Sequence, residues 1–180
     1  MKKIIFIATF EEAEASISAL GAKELSNACY LFDEGEIIIC GIGPEKAALS
    51  AKAAKKGFWI NVGIAGSPFY EKEAVVPIGA TALLEAPLES IVIDDAYKAT
   101  LYTSPSPVYS VPKVGESHYV VDMEGFFIAK EAYKRRVPCS IIKIVSDFCD
   151  HNSHETIGED LPHYSEKISD LILTLVLNSG

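Results

Sequence analysis

Six apolar runs of strand length punctuate the chain: KIIFIAT, EIIICGIG, FWINVGIAG, SIVIDD, HYVVDM and CSIIKIVSD. Several are β-branched and nearly continuous, the pattern of strands covered on both faces. Between them the spacing of apolar residues becomes helical. EEAEASISALGA closes at Gly21, and PEKAALSAKAAKKG carries Pro44 in its first turn and Gly57 past its end, the usual asymmetry of helix start and stop. GFFIAKEAYKRRVP stops before Pro138, and LPHYSEKISDLILTLVL forms the last helical segment. Strand alternating with helix predicts one layered α/β domain over residues 1–180. The stretch LYTSPSPVYSVPK breaks the rhythm. Pro105, Pro107 and Pro112 exclude a central strand or helix over its whole length, so an edge strand or a loop is expected there, and such loops are where sites are built.

Composition narrows the function classes. The chain has 49% hydrophobic and 23% charged residues, as compact globular proteins do. Its 25 acidic against 16 basic residues give a formal charge of −9, which argues against nucleic acid or an anionic membrane as partner. No run approaches the roughly 20 apolar residues of a membrane span. Glu11, Glu12 and Glu14 interrupt the first apolar run before a signal-peptide core could form. Cys29, Cys40, Cys139 and Cys149 form no C-x-x-C, so reduced thiols and a cytoplasmic location are expected.

Ligands of α/β sheets gather beyond the carboxyl ends of strands, and acids stand at three such ends: Glu11 and Glu12, Asp122 and Glu124, and Asp147. One acid after a strand is ordinarily a helix cap. Converging carboxylates are what activation of water together with protonation of a leaving group requires. Gly41–Gly43, followed by Pro44 and a helix, offers backbone N–H groups, Gly43 among them, to an anion or an ordered water. It lacks the third glycine of a dinucleotide fingerprint. Asp147, Asp150, His151 and His154 cluster in SDFCDHNSHETIGED, but no second ligand pair stands at a metal-binding spacing, so no metal and no cofactor is expected. A flavodoxin-like module holding phosphate or flavin at GIGP is a different reading of the same glycines.

In their order, IATFEEAEA, CGIGPEKAA, INVGIAGS, VVDMEGFFIAKEA and IVSDFCDHNSHE resemble the purine nucleoside and uridine phosphorylase superfamily, most of all the 5′-methylthioadenosine/S-adenosylhomocysteine nucleosidases, with GIAG also similar to futalosine hydrolases. The resemblance implies a three-layer α/β/α sandwich with a central mixed β-sheet, nucleoside phosphorylase-like. It implies a nucleosidase that hydrolyses the N-glycosidic bond of a purine nucleoside, a 5′-substituted adenosine such as methylthioadenosine, S-adenosylhomocysteine or aminodeoxyfutalosine, and a homodimer or higher homo-oligomer. Carried over residue by residue, Glu12 activates water, with Glu11 as its rival. Asp147, in the Ser146–Asp147 motif, protonates purine N7. Glu124 holds the ribose hydroxyls, Met123 covers the ribose face, and Asp122 is mainly structural. Val108 or Tyr109 covers the base. Such a bond breaks with positive charge building on the ribose and negative charge on the base, so Asp147 must carry a proton while Glu12 must be ionised. Phosphorolysis is the alternative, and a nucleoside-binding protein with little turnover is a second. A phosphorylase would want arginines, yet Arg135 and Arg136 sit at a helix end, Ile64 offers an apolar wall, and Lys46 alone stands near GIGP.

Overall fold

The computed structural model describes residues 1–114, 118–150 and 153–177, with the backbone alone at 88 and 153–156. In chain order the elements are β1 (Lys3–Ile7), α1 (Phe10–Ala19), β2 (Lys23–Ser26), β3 (Cys29–Phe32), β4 (Gly35–Ile39), α2 (Pro44–Ala53), β5 (Phe58–Gly66), β6 (Val75–Leu83), β7 (Ala86–Val92), β8 (Ala99–Thr103), β9 (Tyr119–Asp122), α3 (Gly125–Arg135), β10 (Cys139–Asp147) and α4 (Ser153–Leu177). All five residues of β1 are buried, as a continuous apolar strand demands.

The sheet is mixed. β1 lies parallel between β4 and β5, β5 runs parallel to β10, and β10 is antiparallel to β6. β6 is parallel to β8 and β8 to β9, and β9 returns to β5 where Gly66 faces Val121. Strands β5, β10, β6, β8 and β9 therefore pair in a closed ring, and β1, β4, β3 and β2 extend from it as an open wing.

Alternate residues of β1 serve the two faces. Ile5 and Ile7 pack with Ala13 of α1 and with Tyr164, Ile168 and Ile172 of α4. Ile4 and Phe6 pack with Ala47 and Ala51 of α2 and with Ile128 and Ala132 of α3. Helices on both faces complete the three-layer α/β/α sandwich around a mixed sheet. Burial of these side chains removes apolar surface from water at about 25 cal/mol per Å².

Several elements differ from the sequence expectation. β2 and β3 form a hairpin whose first strand is wholly exposed, so no apolar alternation marks it. β6 contains Pro77 and Gly79 and still pairs with β10, β7 and β8. The SIVIDD run is only the end of β7, which is shifted back to Ala86. Leu101–Thr103 of the proline-rich stretch complete β8, an inner strand, and regular structure ceases at Ser104. α4 begins nine residues before Pro162 and runs through it.

Candidate active site

The carboxyl ends of β1, β5, β9 and β10 open onto one cavity of about 210 Å³. Ala8 and Glu12 reach it from β1 and α1, Asn61 and residues 62–66 from β5, and Asp122, Met123 and Glu124 from the β9–α3 junction. Lys143, Ser146, Asp147 and Cys149 come from β10 and the turn after it, and Ser106, Pro107, Val108 and Tyr109 from the segment beyond β8. Ile42 and Ile157 complete the rim. Glu12, Asp147, Met123, Glu124, Ile64, Ser146, Val108 and Tyr109 thus share this cavity, although they come from distant parts of the chain.

Helix periodicity turns only one of the two glutamates toward the cavity. Thr9 caps α1, accepting the Glu12 N–H at 3.2 Å on its hydroxyl. That sets Glu11 outward, exposed, and Glu12 inward, buried. The Glu12 carboxylate accepts the Thr9 hydroxyl at 3.4 Å and the Ile64 N–H at 3.4 Å. Gly63 lies close beneath it: a Cβ there would come within 2.9 Å of Glu12 Oε2 and push the carboxylate aside. Burial pushes the Glu12 pKa up, against the opposing pull of Lys143 and of its hydrogen bonds.

Glu124 stands at the N-cap of α3. Gly43, held at φ +96° in a conformation suited to glycine, donates its N–H to Glu124 Oε1 at 2.8 Å. The anion received by the GIGP turn is therefore the protein's own carboxylate; Gly43 acts through Glu124 and does not itself line the cavity. Burial and then the charge of Asp122 push the Glu124 pKa up to about 7. Asp147 is partly buried. Its Oδ2 accepts the Ser146 hydroxyl at 2.7 Å and its Oδ1 the Cys149 N–H at 2.8 Å. Cys149 adopts φ +57°, and this left-handed turn brings its N–H back onto the carboxylate.

Sequence reasoning missed the one cation of the cavity lining. Lys143 is 2% exposed and pairs with Asp122 at 2.9 Å. Burial pulls its pKa down, but Asp122, Glu124 and Glu12 outweigh burial and the net shift is upward. The signal was present: a single lysine in CSIIKIVSD, a run otherwise apolar enough to be buried, needs an acid beside it. Lys46 is exposed and lies off the cavity lining, its stem against Gly41. Arg135 donates to the Ala51 and Ala54 carbonyls and lies over the Trp59 ring at the end of α2, outside the cavity lining. Among the described residues no group of His, Cys, Asp and Glu is placed to hold a metal ion; His151 and the His154 side chain lie outside them. The four cysteines stand unpaired, and no helix among the described residues is long and apolar enough to cross a membrane.

No family model and no curated protein matches the chain. Solved structures match it end to end. A variant of the MTAN of Chlamydia trachomatis bound to MTA superposes with a TM-score of 0.87 at 24% identity, over 99% of both chains. The same organism's MTAN bound to adenine gives a TM-score of 0.83 at 26% identity over 97% of each chain. A futalosine hydrolase mutant of Helicobacter pylori gives 0.82 at 16% identity, covering 99% of this chain and all of its own. The chain shares the fold of these proteins, the nucleoside phosphorylase-like fold that its motifs resemble.

Proposed function

We propose that this chain is a nucleosidase that hydrolyses the N-glycosidic bond of a 5′-substituted adenosine. One observation carries the reading: Glu12, Glu124 and Asp147, acids from three different strand ends, face a single cavity in a fold shared with nucleosidases. The Chlamydia structures hold MTA and adenine, which supports an adenine nucleoside as the class of substrate here.

In this reading each acid has a separate task. Glu124 accepts the ribose hydroxyls, and Met123 beside it covers the sugar. Glu12 takes a proton from the attacking water; its upward shift brings it nearer the working pH, where a general base is most effective. Asp147 delivers a proton to the base as the bond to the sugar breaks. Ser146 suits both of its protonation states, because its hydroxyl can donate to the carboxylate or turn to the Ala65 carbonyl at 3.3 Å and accept from the acid. Ile64, Val108 and Tyr109 supply apolar walls around the substrate.

Water suits this cavity better than phosphate. Its lining sets one ammonium, already paired, among Glu12, Asp122, Glu124 and Asp147, and contains no arginine. A phosphate dianion would meet net negative charge. We further place the protein in the cytoplasm, which four free thiols fit, and propose a homodimer or larger homo-oligomer. The test is release of free base from adenosine, inosine, methylthioadenosine, S-adenosylhomocysteine and aminodeoxyfutalosine, each with and without phosphate. Release from a 5′-substituted adenosine in both conditions is expected; strict dependence on phosphate would falsify hydrolysis.

A further inference from the structure

β10 carries one residue too many beside β5. Val145 lies opposite Ala65 and Asp147 opposite Gly66, so Ser146 is an inserted residue, a β-bulge immediately before the acid of the proposed mechanism. Such an insertion bends its strand, re-aims the side chain next to it and leaves the extra residue out of the ladder. Up to the insertion the strand is also held on its other edge: Val145 donates its N–H to the Ala74 carbonyl at 3.0 Å, and its carbonyl accepts the Glu73 N–H at 2.7 Å. Beyond the insertion the Asp147 carbonyl accepts the Ser67 N–H at 2.8 Å. The peptide between these fixed points needs a partner of its own.

That partner comes from α4. Tyr164 is 0% exposed, and its hydroxyl donates to the Ser146 carbonyl at 3.3 Å. Its ring lies in the same core as Ile144, two residues before Ser146, and as Ile5, Ile7 and Ile168. A phenylalanine would fill that space equally well, and a buried hydroxyl without a partner is costly, so the carbonyl it meets accounts for the phenol oxygen. From Ser146 the contacts continue to the acid: the Ser146 hydroxyl donates to Asp147 Oδ2 at 2.7 Å and reaches the Ala65 carbonyl at 3.3 Å. Tyr164 itself does not line the cavity.

We infer that Tyr164 is a positioning residue for the proton donor: by pinning the carbonyl of the inserted Ser146, it fixes the bulge that aims the Asp147 carboxyl into the cavity. The inference rests on the nucleosidase reading, in which Asp147 protonates the leaving base. Tyr164 keeps its own proton and touches no substrate. Without its hydroxyl the Ser146 peptide is free to turn, the Ser146 hydroxyl turns with it, and the carboxyl loses its aim. A displacement of about 1 Å at a reacting group can cost about 10²-fold in rate, so one remote hydroxyl is enough to change turnover.

The test is a double-mutant cycle of Tyr164→Phe and Asp147→Asn, with base release from 5′-substituted adenosines and a melting curve recorded for each variant. Tyr164→Phe is expected to fold and to lower kcat roughly 10- to 100-fold with KM unchanged, since the interaction it weakens belongs to the transition state. In the Asp147→Asn background the same change should cost nothing further, because the group it positions is already gone. Tyr164→Met deletes the hydroxyl with different packing, and the cycle is repeated with it should the phenylalanine variant not fold. A folded Tyr164→Phe with parental kcat, or an equal loss in both backgrounds, would overturn the inference and leave the nucleosidase reading intact. Parental turnover in Asp147→Asn would overturn it as well, by removing the group that Tyr164 positions. A parent enzyme that releases no base would overturn both the inference and the reading.

Discussion

Two clusters of charge in this molecule contain the same kinds of residue in opposite surroundings. On the surface, Glu73 accepts from His163 at 2.8 Å and Lys167 at 3.1 Å, while Lys72 pairs with Asp160 at 2.7 Å. Inside, Asp122 pairs with Lys143, and Glu12 and Glu124 stand close by. The surface pairs join α4 to the loop before β6, and water screens them, so their geometry says little about energy. The inner group has no such screening. Hydrogen bonds with Lys167 and His163 lower the Glu73 pKa, whereas burial raises those of Glu12 and Glu124. Similar distances therefore carry different meanings, and the costly arrangement is the one found at the cavity.

Breaking the inner group should cost far more than breaking the outer one. The largest effect is expected for Asp147→Asn, whose amide cannot deliver the proton: kcat should fall roughly 10²- to 10⁴-fold with an unchanged melting curve. Parental turnover in that variant would remove Asp147 from the mechanism. Glu12→Gln should lose a similar order of turnover, with substrate affinity retained in a binding titration. Lys143→Met leaves Asp122 buried and unpaired and should destabilise the protein by about 3–5 kcal/mol in denaturant unfolding. A smaller effect concerns pH. The Glu124 pKa is raised from 4.5 to about 7, so it binds its proton more tightly in the folded state. Its contribution to stability is full below pH 4.5 and is lost as pH rises through 7. In its proposed role Glu124 accepts the ribose hydroxyls as the ionised carboxylate, and that proposal predicts a KM that climbs as pH falls below about 7. Glu124→Gln should abolish that climb; a KM that stayed flat in the parent enzyme would contradict the assignment. Least of all, Glu73→Gln should leave both kcat and melting temperature unchanged at 0.15 M salt.

The layered fold was legible because burial writes itself as continuous apolar runs, as in KIIFI and CSIIKIVSD, and because Pro44 and Gly57 bracket a helix. The closed ring was not legible, since it depends on a pairing of Gly66 with Val121 that no local pattern encodes. β2 was lost for a related reason: an exposed edge strand such as KELS has no face to bury. Pro77 and Gly79 interrupt the apolar pattern of β6, which was not among the predicted strands. Within the site, the acids at strand ends could be proposed from sequence, but that Glu12 turns inward and Glu11 outward follows from the Thr9 cap, which sets the helix phase. Lys143 was hidden by its own strand, where three of its neighbours are isoleucines. Its partner stands 21 positions away in sequence, on β9, and the two strands come together through β5, which lies between them.

The most direct test of the account is base release from methylthioadenosine in phosphate-free buffer at neutral pH, with the freed base and the reducing sugar measured together. The account predicts equal amounts of both and no acceleration when phosphate is added. Release that begins only with phosphate and yields a sugar phosphate, or no release from any 5′-substituted adenosine, would contradict it.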